Sequence, residues 1–223
     1  SSIWLMGISW ILSGVIGFVL GIISGVKEGK LIDKIIRGYC YILMSTPTFW
    51  LGILFIMVFS VSLGWFPVAL SVPIGVVSSQ VSLVERIQHI ILPALTLSVI
   101  SISSMCMYTR EKVLEIMKSD YILFAKARGE KTSKIVLNHV LKNVSLPAIT
   151  LQFLSFSELF GGTIFVEQVF SYPGLGQSTV SAGLKGDLPL LMGIAIISLV
   201  FVYSGNIIAD LLYRVVDPRI RDG

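Results

Sequence analysis

Residues 109–147 read TREKVLEIMKSDYILFAKARGEKTSKIVLNHVLKNVSLP. The stretch holds Arg110, Lys112, Lys118, Lys126, Arg128, Lys131, Lys134 and Lys142, and it lies between two apolar runs without a single Lys or Arg. Its pattern is helical. Tyr108–Lys118 extends the preceding run. Ser119 or Asp120 caps a short helix over Tyr121–Arg128, and Gly129 ends it in a left-handed turn. Thr132 or Ser133 caps a second helix that runs to about Ser145. The spacing therefore predicts a helix–turn–helix hairpin projecting from a more apolar body. On the short helix Tyr121, Ile122 and Phe124 stand beside Lys126 and Arg128. An apolar knob with a basic rim suits docking into a partner's groove. The same aromatics would equally serve to cover the ends of neighbouring helices.

Outside the hairpin the chain is overwhelmingly apolar. Hydrophobic residues make up 54% of the 223 and charged ones 13%, with a mean hydropathy of +0.87. A soluble domain averages about 25% charged residues and cannot bury so much apolar surface. Five long apolar runs emerge, Ile3–Val26, Tyr39–Val61, Ile87–Tyr108, Pro147–Val169 and Leu188–Tyr213. Each exceeds the roughly 20 residues that a membrane helix needs. Glu158, Glu167 and Asp210 are the only carboxylates inside them.

The cations set an orientation. Lys27, Lys30, Lys34 and Arg37, the eight of the hairpin segment, and Arg214, Arg219 and Arg221 share one side, while only Arg86 and Lys185 fall on the other. The positive-inside rule makes the rich side cytoplasmic, with the C-terminus inside. The net charge of +4 thus reflects topology and does not describe a nucleic-acid surface. Five spans with the C-terminus inside would place Ser1 outside, so a further N-terminal span is expected before it, with a five-span protein whose N-terminus lies outside as the alternative.

Local features fill in this frame. Ser13, Gly17, Gly21 and Gly25 recur every four residues, a ladder that lets another helix approach closely. Pro47 should kink the second run near its start, whereas Pro93, Pro147 and Pro189 fall in first turns, where proline is tolerated. Trp65, Phe66 and Pro67 open an outer loop and fit an interfacial belt, and the following Ser71–Leu83 is apolar enough to lie on the membrane. The second outer loop, 170–187, starts with a tight turn at Pro173, Gly174 and Gly176.

Catalytic and metal-binding signatures are missing. There is no phosphate-binding loop, no H-E-x-x-H and no paired-cysteine motif, so Cys40 and Cys106 read as separate cysteines and no disulfide is expected. His89 and His139 lack ligand partners at helical spacing. Met105, Cys106 and Met107 point in different directions and read as core filling. Glu158 stands apart. At mid-depth an acid costs at least about 2.5 kcal/mol unless it faces protein or a watery path. Gly161 and Gly162 thin the helix beside it, and Thr163 follows. This makes Glu158, Gly161, Gly162 and Thr163 candidates for lining a pathway, with Glu158 a weak metal candidate. A structural, hydrogen-bonded Glu158 is the competing reading. Asp210 can pair with Arg214 and reads as structural.

Together these residues resemble the permeases of ABC importers. Ala125, Gly129 and Leu146-Pro147 fit the A-x-x-x-G…LP skeleton of the coupling ("EAA") loop. Arg128-Gly129, the string from Asn138 to Pro147, Thr46-Pro47-Thr48-Phe49-Trp50, Gly64-Trp65-Phe66-Pro67, the string from Val169 to Gly176 and Asp217-Pro218-Arg219 resemble the dipeptide, oligopeptide and nickel branch. Leu123 and Phe124 depart from the general pattern, which has Glu and Ala there. The resemblance implies an all-α integral membrane protein, a single permease domain over residues 1–223. It would be a type I importer bundle with five of six spans present and a cytoplasmic coupling loop at 109–146.

The resemblance also implies a non-catalytic subunit of the bacterial inner membrane, without a cofactor of its own. Its partners would be a second permease, two cytosolic ATPases that bind ATP and Mg, and an external solute-binding protein. Tyr121, Phe124, Ala125, Arg128 and Gly129 would carry the coupling to the ATPase. The string from Glu158 to Thr163 resembles nickel-type permeases, which makes nickel or a metal chelate the expected cargo and peptides the alternative. A secondary transporter driven by an ion gradient through Glu158 is the reading from a different class.

Overall fold

The structure, a computed structural model, describes residues 2–72 and 81–216, with side chains described up to residue 211. No strand occurs among them. The helices are α1 (Ser2–Val26), α2 (Leu31–Met44), α3 (Thr48–Phe55), α4 (Leu83–Met117), α5 (Asp120–Ala127), α6 (Thr132–Ile135), α7 (Leu141–Leu154), α8 (Phe156–Val169), α9 (Leu175–Lys185) and α10 (Leu188–Val216). π-helical turns at Ile56–Ser62 and Val136–Val140 continue α3 and α6. Arg219, Arg221 and the Asp217-Pro218-Arg219 string lie outside the described residues, as do most of Ser71–Leu83 and the side chain of Arg214.

Three helices, α1, α4 and α10, are long and apolar enough to cross a membrane. The count reaches five if α2 with α3, and α6–α7 with α8, each form one broken span. Runs two and four are therefore not single helices. Pro47 does more than kink its run. It has no N–H to donate and it forces Thr46 out of the helical region, so α2 ends at a Ser45 cap and α3 starts afresh after Pro47. Pro93 and Pro147 also depart from expectation. They sit well inside α4 and α7, because both helices begin earlier than the apolar runs. Residues 175–185, expected as loop, form α9.

Contacts group the residues into two compact units. One comprises the start of α1, Thr46–Val99 and Phe156–Ser204; the other comprises Leu12–Ser45, Ile100–Ser155 and the chain from Gly205.

In the second unit the glycine ladder meets α4. A Cβ on Gly17, Gly21 or Gly25 would lie 2.7 Å from Met105 Cβ, 2.5 Å from Thr109 Cβ and 2.6 Å from Val113 Cγ1. The two backbones approach too closely for any side chain on those turns. Ser13, the first rung, instead accepts a 3.1 Å hydrogen bond from Gln152 Nε2 of α7. Behind this seam Asp33 of α2 is fully buried and fully engaged. Arg110 Nε and Nη2 fork onto its two oxygens at 2.7 and 3.0 Å, Ser24 Oγ donates at 2.6 Å, and the Gly29 N–H donates at 2.9 Å. Such bidentate pairing satisfies a buried charge. Cys40 and Cys106 are both buried and free.

In the first unit α9 is anchored by Glu167, which is fully buried. Its Oε2 accepts from the N–H groups of Gly176 (2.7 Å) and Gln177 (3.1 Å), and Ser2 Oγ donates to Oε1 at 2.6 Å. The same Ser2 Oγ accepts from the Leu175 N–H at 2.7 Å. The first three orphan donors of α9 are thereby satisfied, and a carboxylate sits at the positive end of a helix dipole. Gly174 and Gly176 are required here. A Cβ on Gly174 would run into Glu167 Oε1, and one on Gly176 would fall 2.5 Å from Ile164 Cα.

Candidate functional site

The hairpin forms much as its sequence suggests, with two corrections at the caps. Ser119 takes the extended N-cap conformation of α5, but its hydroxyl turns back to Ile116 O and leaves the α5 N-terminus without a side-chain cap. The next helix is preceded by Lys131; neither Thr132 nor Ser133 caps it. Gly129 has φ +80°, and its N–H donates to Lys126 O while the Glu130 N–H donates to Ala125 O. That pair of bonds is a Schellman stop, which needs the left-handed residue that glycine supplies.

Burial divides the short helix in two. Ile122 and Ala125 are buried, packed with Val113, Ile135, Val140 and Val144 against Phe18, Ile22 and Val26 of α1. Ile122 thus leaves the knob, and Ala125 belongs to the foot that holds α5 in place. Tyr121 (47% exposed), Leu123 (52%) and Phe124 (65%) face outward. The Arg128 guanidinium lies 5.9 Å from the Phe124 ring centroid, and Asn143 Nδ2 reaches the Tyr121 hydroxyl at 3.4 Å. The exposed surface is an apolar knob flanked by Lys126 and Arg128, both open to solvent. Three of the cations counted on this segment are spoken for within the chain. Arg110 holds Asp33, Lys112 pairs with Glu115 at 2.8 Å, and Lys118 reaches Glu28 at 3.1 Å.

The candidates on α8 do not share one face. Glu158 and Gly161 are exposed, on a stripe with Ser157, Phe165 and Gln168. Gly162 instead packs inward, where a Cβ would meet Leu97 Cδ1 at 2.9 Å. Thr163 is buried, and its hydroxyl donates to Leu159 O at 2.6 Å. Among the described residues no group of three His, Cys, Asp or Glu could hold a metal ion. Glu167 and Asp33 are the functional-looking carboxylates that sequence reasoning passed over. The signal for Glu167 was the Pro-Gly-x-Gly turn that starts six residues on. Asp33 had one local signal, Arg37 four residues on, whose Nη1 lies 3.9 Å from its Oδ2, but its bidentate partner Arg110 lies 77 residues away.

A family model described as "Binding-protein-dependent transport system inner membrane component" matches residues 17–222. The chain belongs to this family. It is 38% identical over 220 residues to the oligopeptide transport system permease protein AppB of Bacillus subtilis, covering 99% of this chain and 69% of AppB. It is 31% identical over 224 residues to the di/tripeptide permease DppB of Pseudomonas aeruginosa (94% and 67%). It is 35% identical over 221 residues to the glutathione permease GsiC of Escherichia coli K12 (99% and 68%). The chain spans about two thirds of the length of these relatives. The fold is similar to a chain of the MetNI methionine ABC transporter, with a TM-score of 0.73 at 19% identity, covering 97% of this chain and 94% of that one. The fold is the type I ABC importer permease fold, and the chain is an ABC importer permease. The expectation of nickel finds no support in these relatives, which are named as permeases for oligopeptides, di/tripeptides and glutathione and match the peptide alternative. The E-L-x-G-G-T likeness that suggested nickel rests on a helix whose Gly162 and Thr163 serve packing inside the chain.

Proposed function

We propose that this chain is a permease subunit of an ATP-driven peptide importer, paired with a second permease, two cytosolic ATPases and an external binding protein. The ATPases bind ATP and Mg; this chain contributes half of the path and the mechanical link. The hairpin and the C-terminus face the cytoplasm. The observation that carries the reading is the two-sided short helix. Ile122 and Ala125 root it in the chain's own core, while Leu123, Phe124 and Tyr121 stand outside beside Arg128. A rigid foot with an apolar, basic-rimmed tip transmits force from a groove that closes on it. The exposed α8 stripe with Glu158 and Gly161 lines the path. The peptide assignment is supported by the peptide and glutathione relatives that match nearly the whole chain.

The double substitution Leu123→Ser and Phe124→Ser tests the link. Both side chains are exposed, so the permease should insert and fold normally. Affinity for the ATPase should fall at least about tenfold, since buried aromatic anchors dominate such contacts. ATPase binding and peptide uptake at wild-type levels would remove the docking role.

A further inference from the structure

We infer that Glu158 makes the path selective for cargo charge, favouring peptides that bring an ammonium or guanidinium group and opposing those with excess carboxylates. The inference rests on the reading of the α8 stripe as path lining. Glu158 lies in the first turn of α8 and is exposed. Among the described residues no hydrogen bond or ion pair engages its carboxylate. The other acid of the helix is consumed by Ser2 and the α9 N-terminus. Between Lys142 and Lys185 the sequence contains no Lys, Arg or His, so nothing on α8 or α9 before Lys185 offsets the charge.

The stripe also has the form of a peptide station. One turn beyond Glu158, Gly161 leaves open space, since a Cβ there meets nothing within 4 Å. Two turns beyond it stands the exposed ring of Phe165. Charge, gap and ring span about 10 Å along the helix, the length of roughly three extended residues. A carboxylate takes an ammonium, the gap admits backbone, and the ring receives an apolar side chain. Away from bulk water a second carboxylate beside Glu158 meets strong repulsion. This separates the cargos of the relatives. Glutathione has two carboxylates and one ammonium and is disfavoured, whereas neutral and basic short peptides pass.

The test uses the complete transporter in liposomes, with binding protein saturating and fully loaded so that delivery does not limit the rate. The probes are Ala-Lys-Ala, Ala-Glu-Ala and glutathione. Wild type should move Ala-Lys-Ala fastest. In Glu158→Gln the Lys-to-Glu rate ratio should fall at least about threefold; Glu158→Asp should keep it, and Glu158→Lys should reverse it. A ratio equal in all four proteins overturns the inference. A Phe165→Cys variant separates the two readings, because Cys40 and Cys106 are buried. If a small hydrophilic thiol reagent labels it and blocks uptake while the ratio ignores Glu158, the path stands and charge selection falls. If the cysteine stays unlabelled during turnover, both fall.

Discussion

Glu167 is the second acid of the fourth apolar run, and it is the residue that holds α9. Its carboxylate and Ser2 satisfy three helix donors. Glu167→Ala would leave two N–H groups without an acceptor and should cost about 2–4 kcal/mol of stability. Thermal unfolding of the purified permease measures this; an unchanged midpoint would mean that α9 is anchored elsewhere. The contrast with Glu158 shows what a sequence can and cannot say about an acid. Both sit in the same apolar run, Glu158 at its middle and Glu167 two residues from its end. Only the fold reveals that one carboxylate is filled by partners from residue 2 and residues 176–177 while the other remains open. A clue to Glu167 was present in Gly174 and Gly176, because paired glycines after a helix mark a place where something bulky comes close.

Among the elements, α1 shows how far spacing can be read. The four-residue ladder identified the packing face, and the structure supplies its partner, α4. Gly21→Ala would put a Cβ 2.5 Å from Thr109 Cβ. It should cost about 1–3 kcal/mol, the usual penalty of overpacking. Gly7→Ala on the same helix meets nothing within 4 Å and should be neutral or slightly stabilising. Equal effects in a detergent melting assay would show that the seam yields. The breaks in runs two and four were less legible. Hydropathy registers that residues are apolar, whereas a helix end is fixed by which backbone donors find acceptors. The hairpin was the most readable part, because Gly129 and the alternation of buried and exposed residues on α5 act locally. The lost caps at Ser119 and Thr132 show the limit: a hydroxyl has several carbonyls within reach, and here Ser119 takes Ile116.

For the whole molecule, the cation bias predicts that the hairpin and the α9–α10 turn lie on opposite sides of the membrane. Lys185→Cys should react with an impermeant maleimide on intact cells, and Lys126→Cys only after permeabilisation. The reverse pattern would invert the topology. Apolar composition, helical class and family were all legible from the chain. Cargo was not, since neither composition nor spacing carries a signature of it. The Asp33–Arg110 fork adds a matter of timing. Asp33 is made 77 residues before the guanidinium that neutralises it. At a synthesis rate of ~5–20 residues per second, roughly 4–15 s pass before that carboxylate gains its bidentate partner. The order of biosynthesis thus puts the lock on α2 after the element it locks. α2 settles only when α4 has arrived.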